Sequence, residues 1–258
     1  MDLRKKILDS NIKEHRKEAK YYDTIHSELY NWYEQKRIIS SLYKVFTNFN
    51  KNSTVLDIGS GSGNLTIKLL QQGFRNIICL DISKEMMDEL KRKVKDSDHN
   101  IKFIVSDIDS FFENNTSKFD IVLIGSALHH FPDYVSTLKN IERILNNANC
   151  IYITHEPLPP SKKSILVKIF LKIDFFIYTA RYLFLILIGR LKYLDRNCEY
   201  SDYHTGERAI DISQLEAIFG NNYMMSINKY PVAKFGFTAF LLEKIKYANS
   251  FEFMAVKK

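Results

Sequence analysis

From residue 54 to residue 156 the chain alternates short apolar runs with helical patterns, and this alternation limits its fold more than any other feature. TVLD (54–57), NIICLD (76–81), IKFIVSD (101–107), FDIVLIG (119–125) and CIYITHE (150–156) are rich in β-branched or aromatic residues. Each is short enough to be a buried parallel strand. Helical patterns fall between them near 64–72, 83–95 and 134–146, with Ser83 before Glu85 and Ser62-Gly63-Asn64 as helix starts. Such alternation predicts an α/β protein with a doubly wound sheet and ligands outside the carboxyl ends of its strands.

The flanks read differently. Residues 1–50 predict helices, charged at first and aromatic from Tyr21 through Tyr22, Tyr30, Trp32 and Tyr33. After PLPP (157–160) comes a long apolar and basic run to residue 194. A DISQLEAIF helix (211–219) follows, then YMMSINKY (223–230) and FTAFLLEKI (237–245), which read as an antiparallel hairpin around Pro231 and Gly236. The expected organisation is an N-terminal helical lid (1–50), a cofactor-binding core (51–160), a helical cap insertion (161–210) and a C-terminal helix and hairpin completing the sheet (211–258).

Charge narrows the range of partners. The net charge is +7, and much of the excess lies in 161–200, with eight Lys and Arg against three acids. A nucleic-acid binder spreads its cations over an exposed face or tail, so no nucleic-acid partner is expected. Cys79, Cys150 and Cys198 are widely spaced, without CxxC or His at ligand offsets. They read as thiols in a reducing compartment, and no metal site is expected. MDLRKKILDSNIKEH lacks the apolar run of a signal peptide, so the expected location is cytoplasmic.

Three glycines, Gly59, Gly61 and Gly63, follow the first strand. A phosphate-cradling loop would need Lys after the last glycine, and none stands there. A dinucleotide turn is G-x-G-x-x-G, and here the third glycine comes one residue early. Asp57, two residues before Gly59, would repel a pyrophosphate but welcome an ammonium. S-adenosylmethionine carries an ammonium, a carboxylate and a sulfonium, and no phosphate. Asp81, ending the second strand, suits either cofactor because its carboxylate can accept both ribose hydroxyl protons.

DIGSGSGN (57–64) resembles the glycine motif of class I S-adenosylmethionine-dependent methyltransferases, and further pieces follow in that family's order. LDIS (80–83) is similar to its ribose-binding strand end, and SDID (106–109) to the segment whose Asp, here Asp107, meets the adenine amino group. FDIVLIGSALHHFPD (119–133) resembles the fourth-strand motif of the small-molecule branch. EAKYYDTIHSELYN (18–31) resembles the entry helix lying over the cofactor. The resemblance covers roughly 18–160 plus the last two strands. It implies a Rossmann-like seven-stranded sheet with its last strand antiparallel, and cofactor contacts from Tyr22, Asp57, Gly59, Ser60, Gly61, Asp81, Ile82, Asp107, Ile108 and Ser126.

Methyl transfer is an in-line displacement that needs orientation, and a base where the acceptor begins protonated. The candidate bases are His129, His130, His155 and Glu156, with Tyr203 and His204 further on. Adjacent His129 and His130 are expected to point apart, so at most one faces the substrate. In the apolar insertion, Lys168 and Lys172 lie on the far side of the helix from Asp174 and Arg181. Four charges argue against a membrane span, and two packed helices capping the active site are expected there. The expected function is methylation of a hydrophobic small molecule such as a secondary metabolite, quinone or lipid-like acceptor. The alternatives are a lipid methyltransferase peripheral to the membrane, touching it through 165–194, and a non-catalytic scaffold. A homo-oligomer is compatible with the insertion, and an RNA or protein methyltransferase fits less well.

Overall fold

The computed structural model describes residues 2–95, 100–194 and 200–258. Four α-helices come first, α1 (Leu3–Glu18), α2 (Tyr22–Ile25), α3 (Ser27–Tyr30) and α4 (Trp32–Asn48), with a 3-10 turn (Ala19–Tyr21) between the first two. The alternating region then runs β1 (Thr54–Ile58), α5 (Asn64–Gln71), β2 (Asn76–Asp81), α6 (Lys84–Val94), β3 (Asn100–Val105), α7 (Ile108–Asn114), β4 (Phe119–Gly125), α8 (Tyr134–Arg143) and β5 (Leu145–Pro157). It closes with α9 (Ile165–Leu187), α10 (Ile212–Phe219), β6 (Tyr223–Tyr230), α11 (Gly236–Lys244) and β7 (Ser250–Lys257).

The strands form one seven-stranded sheet in the order β3-β2-β1-β4-β5-β7-β6. β1 to β5 pair in parallel, and β7 runs antiparallel to both β5 and β6. The expected Rossmann-like sheet with its antiparallel last strand is thus the observed one. Leu56, Ile58, Val122, Ile124, Ile151 and Ile153 pack on one face with residues of α7, α8 and α10. Val55, Ile77, Ile121, Leu123 and Tyr152 pack on the other with α4, α5 and α6. Burial on both faces is why these strands read as continuous apolar runs. Side-chain caps fix the helix starts: Asn31, Ser83, Asp107, Asp133, Ser164 and Asp211 each accept a hydrogen bond from a backbone amide of the first turn.

Two expectations of local structure are corrected. FTAFLLEKI is helix α11, and the partner of β6 is SFEFMAVK, β7. A short apolar run does not distinguish strand from buried helix. A distant residue braces the entry to α11: Asp174 accepts hydrogen bonds from the Lys234 and Phe235 amides (2.8 and 3.1 Å) just before the helix. Among the described residues the insertion holds one α-helix, the 23-residue α9, in place of two packed helices. No Gly or Pro interrupts 165–187, and the first glycine after it, Gly189, takes a left-handed φ of 71°. Cys79 and Cys150 are buried free thiols, and Cys198 lies outside the described residues.

Candidate active site

The sheet order reverses between β1 and β4, and a cleft of about 1000 Å³, open space at its mouth included, lies at the carboxyl ends there. All ten residues expected to contact the cofactor line this cleft. Gly59 and Gly61 have φ of 65° and 52°. A Cβ on Gly59 would meet Ala127 Cβ at 2.4 Å, so the bare backbone is a packing requirement as well as a conformational one. The Gly59 and Ser60 amides donate to the Leu80 carbonyl (2.8 and 3.0 Å). Asp81 ties the turn to β2 by accepting from the Gly61 and Ser83 amides, each at 2.8 Å.

Electrostatically the cleft is poised for a cation. Asp57 is buried and accepts a hydrogen bond from Thr66 Oγ1 (2.5 Å). Burial pushes its carboxyl up to about 7, and the neighbouring Asp81 adds to the rise. Burial also raises Asp81. A bound ammonium would relieve both. Ser60 Oγ is buried with no hydrogen-bond partner among the described residues, a polar atom left for a ligand. Asp107 caps α7 through the Asp109 and Ser110 amides and lies 3.7 Å from Arg4. Burial alone would raise it, but these donors hold it below the ordinary range. The residues present therefore fit the cofactor that the sequence implies.

Helices α1 to α3 line the cleft, and α4, which adds Ile38 to it, packs into the sheet's own helical layer. Asn11 Nδ2 donates to the His130 carbonyl (3.0 Å), and Lys93 Nζ bonds both Asp23 Oδ2 (2.5 Å) and the Ser62 carbonyl (2.9 Å). Tyr22 stacks on His26 with centroids 4.3 Å apart.

A second cleft of about 870 Å³ opens off the first, sharing His15, Tyr22, Ser126, His130 and His155 with it. Two of these junction residues, Ser126 (φ 54°) and His155 (φ 61°), hold left-handed backbone without being glycine. Strain of this kind persists where surroundings over-determine it, and it gathers at functional sites. Around His155 the surroundings are explicit. Its amide donates to Tyr230 Oη (2.9 Å), and its Nδ1 bonds buried Glu34 Oε1 (3.0 Å). Burial would raise Glu34, but His155 and Arg37 outweigh it and hold the carboxyl at about 2. Arg37 in turn bonds Glu34, Thr154 Oγ1 (2.7 Å) and Glu252, and stacks on the Tyr230 ring.

The other candidate bases fall into different settings. Glu156 lines neither cleft. Fully buried, it accepts from the amides of Ala127, Leu128 and His129 and from His129 Nδ1 (2.8 Å), so its oxygens are saturated and it anchors the turn. His129 and His130 do not point apart. Both occupy a 3-10 turn (Leu128–His130), with ring centroids 4.1 Å apart, and both face the second cleft. Glu156 draws one ring by its Nδ1, and the Ser201 carbonyl draws the other at 2.5 Å. Burial would lower the pKa of His129, but Glu156 outweighs it and raises it; burial and the neighbouring imidazoles push His130 well down. His129, His130 and Asp202 present possible ligand atoms within 4.8 Å of one another. His129 Nε2 and His130 Nδ1 lie 3.8 and 3.6 Å from Asp202 Oδ1.

The insertion contributes Ser201, Asp202 and Thr205 to the second cleft, while His204 bonds the His129 carbonyl through its amide (2.8 Å). Helix α9 lines neither cleft, so it is not the expected cover of the active site. It leans on α11 and touches the lid where Tyr178 Oη donates to the Ile25 carbonyl (3.0 Å). Sequence reasoning also missed Glu34 and Arg37, and Glu18 and His26, which bond each other (2.9 Å) in the lining of the second cleft. Their only signal was the i, i+3 spacing of Glu34 and Arg37, which is common on any helix surface.

Comparison with known proteins agrees with this fold. Residues 55–148 match a methyltransferase domain family. Over 131 residues the chain is 34% identical to a demethylmenaquinone methyltransferase of Staphylococcus saprophyticus, covering 49% of this chain and 53% of that protein. Over 104 residues it is 35% identical to a ubiquinone/menaquinone biosynthesis C-methyltransferase of Rickettsia prowazekii, covering 37% and 41%. The chain thus spans about half the length of the curated relatives it matches. A plantazolicin methyltransferase solved with S-adenosylhomocysteine shares the fold, with a TM-score of 0.55 and 16% identity over 98% of both chains. Residues 55–148 thus match a methyltransferase domain, and the chain shares the fold of a methyltransferase solved with S-adenosylhomocysteine.

Proposed function

We propose that this protein methylates a small acceptor with an apolar body and an acidic hydroxyl or activated carbon, of the secondary-metabolite, quinone or lipid-like class. The observation that carries the reading is His155, held in strained backbone where the two clefts meet and backed by buried, ionised Glu34. When bound, S-adenosylmethionine supplies an electrophilic methyl group. Asp57 would receive the cofactor's ammonium, Asp81 its ribose hydroxyls and Asp107 its adenine amino group, with Ile82 and Ile108 against the ring. Gly59, Ser60 and Gly61 would offer bare backbone and the Ser60 hydroxyl, while Tyr22 and Ser126 close the wall towards the acceptor.

His155 Nε2 would take the acceptor's proton as its nucleophilic atom engages the methyl carbon. The imidazolium formed would be stabilised by the ionised Glu34 carboxylate at Nδ1. His129, paired with Glu156, is the second candidate for the same task from the acceptor side. The names of the relatives, both quinone methyltransferases, support the acceptor class. Buried free Cys79 and Cys150 support a reducing, cytoplasmic compartment.

Calorimetric titration with S-adenosylhomocysteine, with NAD in a parallel cell, tests the cofactor. Binding of the former alone is expected, and binding of NAD alone would overturn the reading of Asp57. Transfer from labelled donor to phenolic and hydroquinone acceptors then tests the reaction. A protein that binds S-adenosylhomocysteine but methylates no such acceptor would sink the acceptor class.

A further inference from the structure

Helix α9 presents an uncovered apolar ridge. Ile165, Ile169, Phe176, Leu183 and Leu187 are 78%, 46%, 74%, 58% and 83% exposed. At about 100° per residue they fall within about 40° of one another, opposite buried Val167 and Asp174. At about 1.5 Å per residue the ridge is roughly 33 Å long. Isolated exposed apolar residues are ordinary, but a contiguous patch marks an interaction surface.

The charges flanking the ridge are positive. Lys168 and Lys172 are exposed beside it and Lys162, Lys163, Arg190 and Lys192 are exposed at the two ends of the helix, while Arg181, also exposed, lies on the Asp174 side. From 161 to 194 the single acid is Asp174, which is turned inward onto the Lys234 and Phe235 amides. We infer that the outer face of α9 lies flat on an anionic lipid bilayer, its ridge in the acyl boundary and its cations among the headgroup phosphates. A second copy of this chain would bring the same cations against these and is disfavoured by like charge. Spanning is excluded by the cations, and among the described residues no helix is long and apolar enough to cross a membrane.

The inference stands apart from the methyl-transfer reading, because α9 lines neither cleft. Its link to the lid, Tyr178 on Ile25, would place the cofactor cover next to the membrane.

The test is flotation of the full chain with phosphatidylcholine vesicles, with and without about 30 mol% phosphatidylglycerol, at about 0.15 M salt. Binding to the anionic vesicles is expected. It should fall at least tenfold in F176S/L183S/L187S, in K168E/K172E, and in the parent at about 1 M salt. All five positions are exposed, so both variants should keep the parent's melting temperature and affinity for S-adenosylhomocysteine. No flotation with anionic vesicles, or equal flotation of parent and variants, would overturn the proposal. So would a dimer in sedimentation equilibrium that F176S/L183S/L187S dissolves while flotation is absent; that result would assign the ridge to a second copy.

Discussion

Replacing Asp57 with Asn should make the ligand-free protein more stable and the cofactor-bound state weaker. The Asp57 carboxyl sits at about 7 against an ordinary 3.8, chiefly because burial disfavours its charge. Between about pH 4 and 7 the folded state therefore holds a proton that the unfolded chain has released, and stability falls as pH rises. The loss grows by about 1.4 kcal/mol per pH unit and approaches ~4 kcal/mol above pH 7. Asn removes the titrating group, while its Oδ1 can still accept the Thr66 hydroxyl. At pH 8 the D57N protein should thus gain roughly 2–4 kcal/mol. At about 2–4 °C per kcal/mol for a chain of this size, its melting temperature should rise by roughly 5–15 °C. At pH 4 the gain should vanish. Its affinity for S-adenosylhomocysteine should fall roughly 10–100-fold, the worth of a charge-assisted hydrogen bond. Scanning calorimetry at pH 4, 6 and 8 and titration calorimetry at pH 8 measure both. Equal melting at pH 8, or a gain that persists at pH 4, would refute the buried-charge argument, and parental affinity would refute the ammonium assignment.

Four further outcomes are expected. H155N should lower kcat for an acidic acceptor by roughly 10²–10⁴ and leave S-adenosylhomocysteine affinity intact. E34Q should lower kcat for the same acceptor and leave S-adenosylhomocysteine affinity intact, because His155 Nδ1 loses its carboxylate partner; an unchanged kcat would remove Glu34 from the mechanism. G59A should destabilise the protein by roughly 2–4 kcal/mol, combining left-handed strain with a Cβ 2.4 Å from Ala127, and a melting curve like the parent's would contradict it. D174A should cost about 1–3 kcal/mol by stripping two amides at the start of α11, with hydrogen exchange at Lys234 and Phe235 accelerating first. Unchanged exchange there would show that those amides find other partners.

The sequence by itself determined the alternating core and the cofactor cleft. Strands buried on both faces must be short apolar runs, and a tight turn under a ligand must be glycine, so β1 to β5 and Gly59 and Gly61 are written locally. Only the tertiary structure decided the rest, because the deciding partners lie far along the chain. Asp174 braces the entry to α11 from 60 residues away, and β7 becomes a strand by lying between β5 and β6. Glu34 reaches His155 across 121 residues, and Glu156 and Ser201 turn two adjacent histidines into one cleft. Local periodicity reports which face of an element is apolar. It carries no information about which remote carboxylate will meet a given imidazole, and that pairing makes the site.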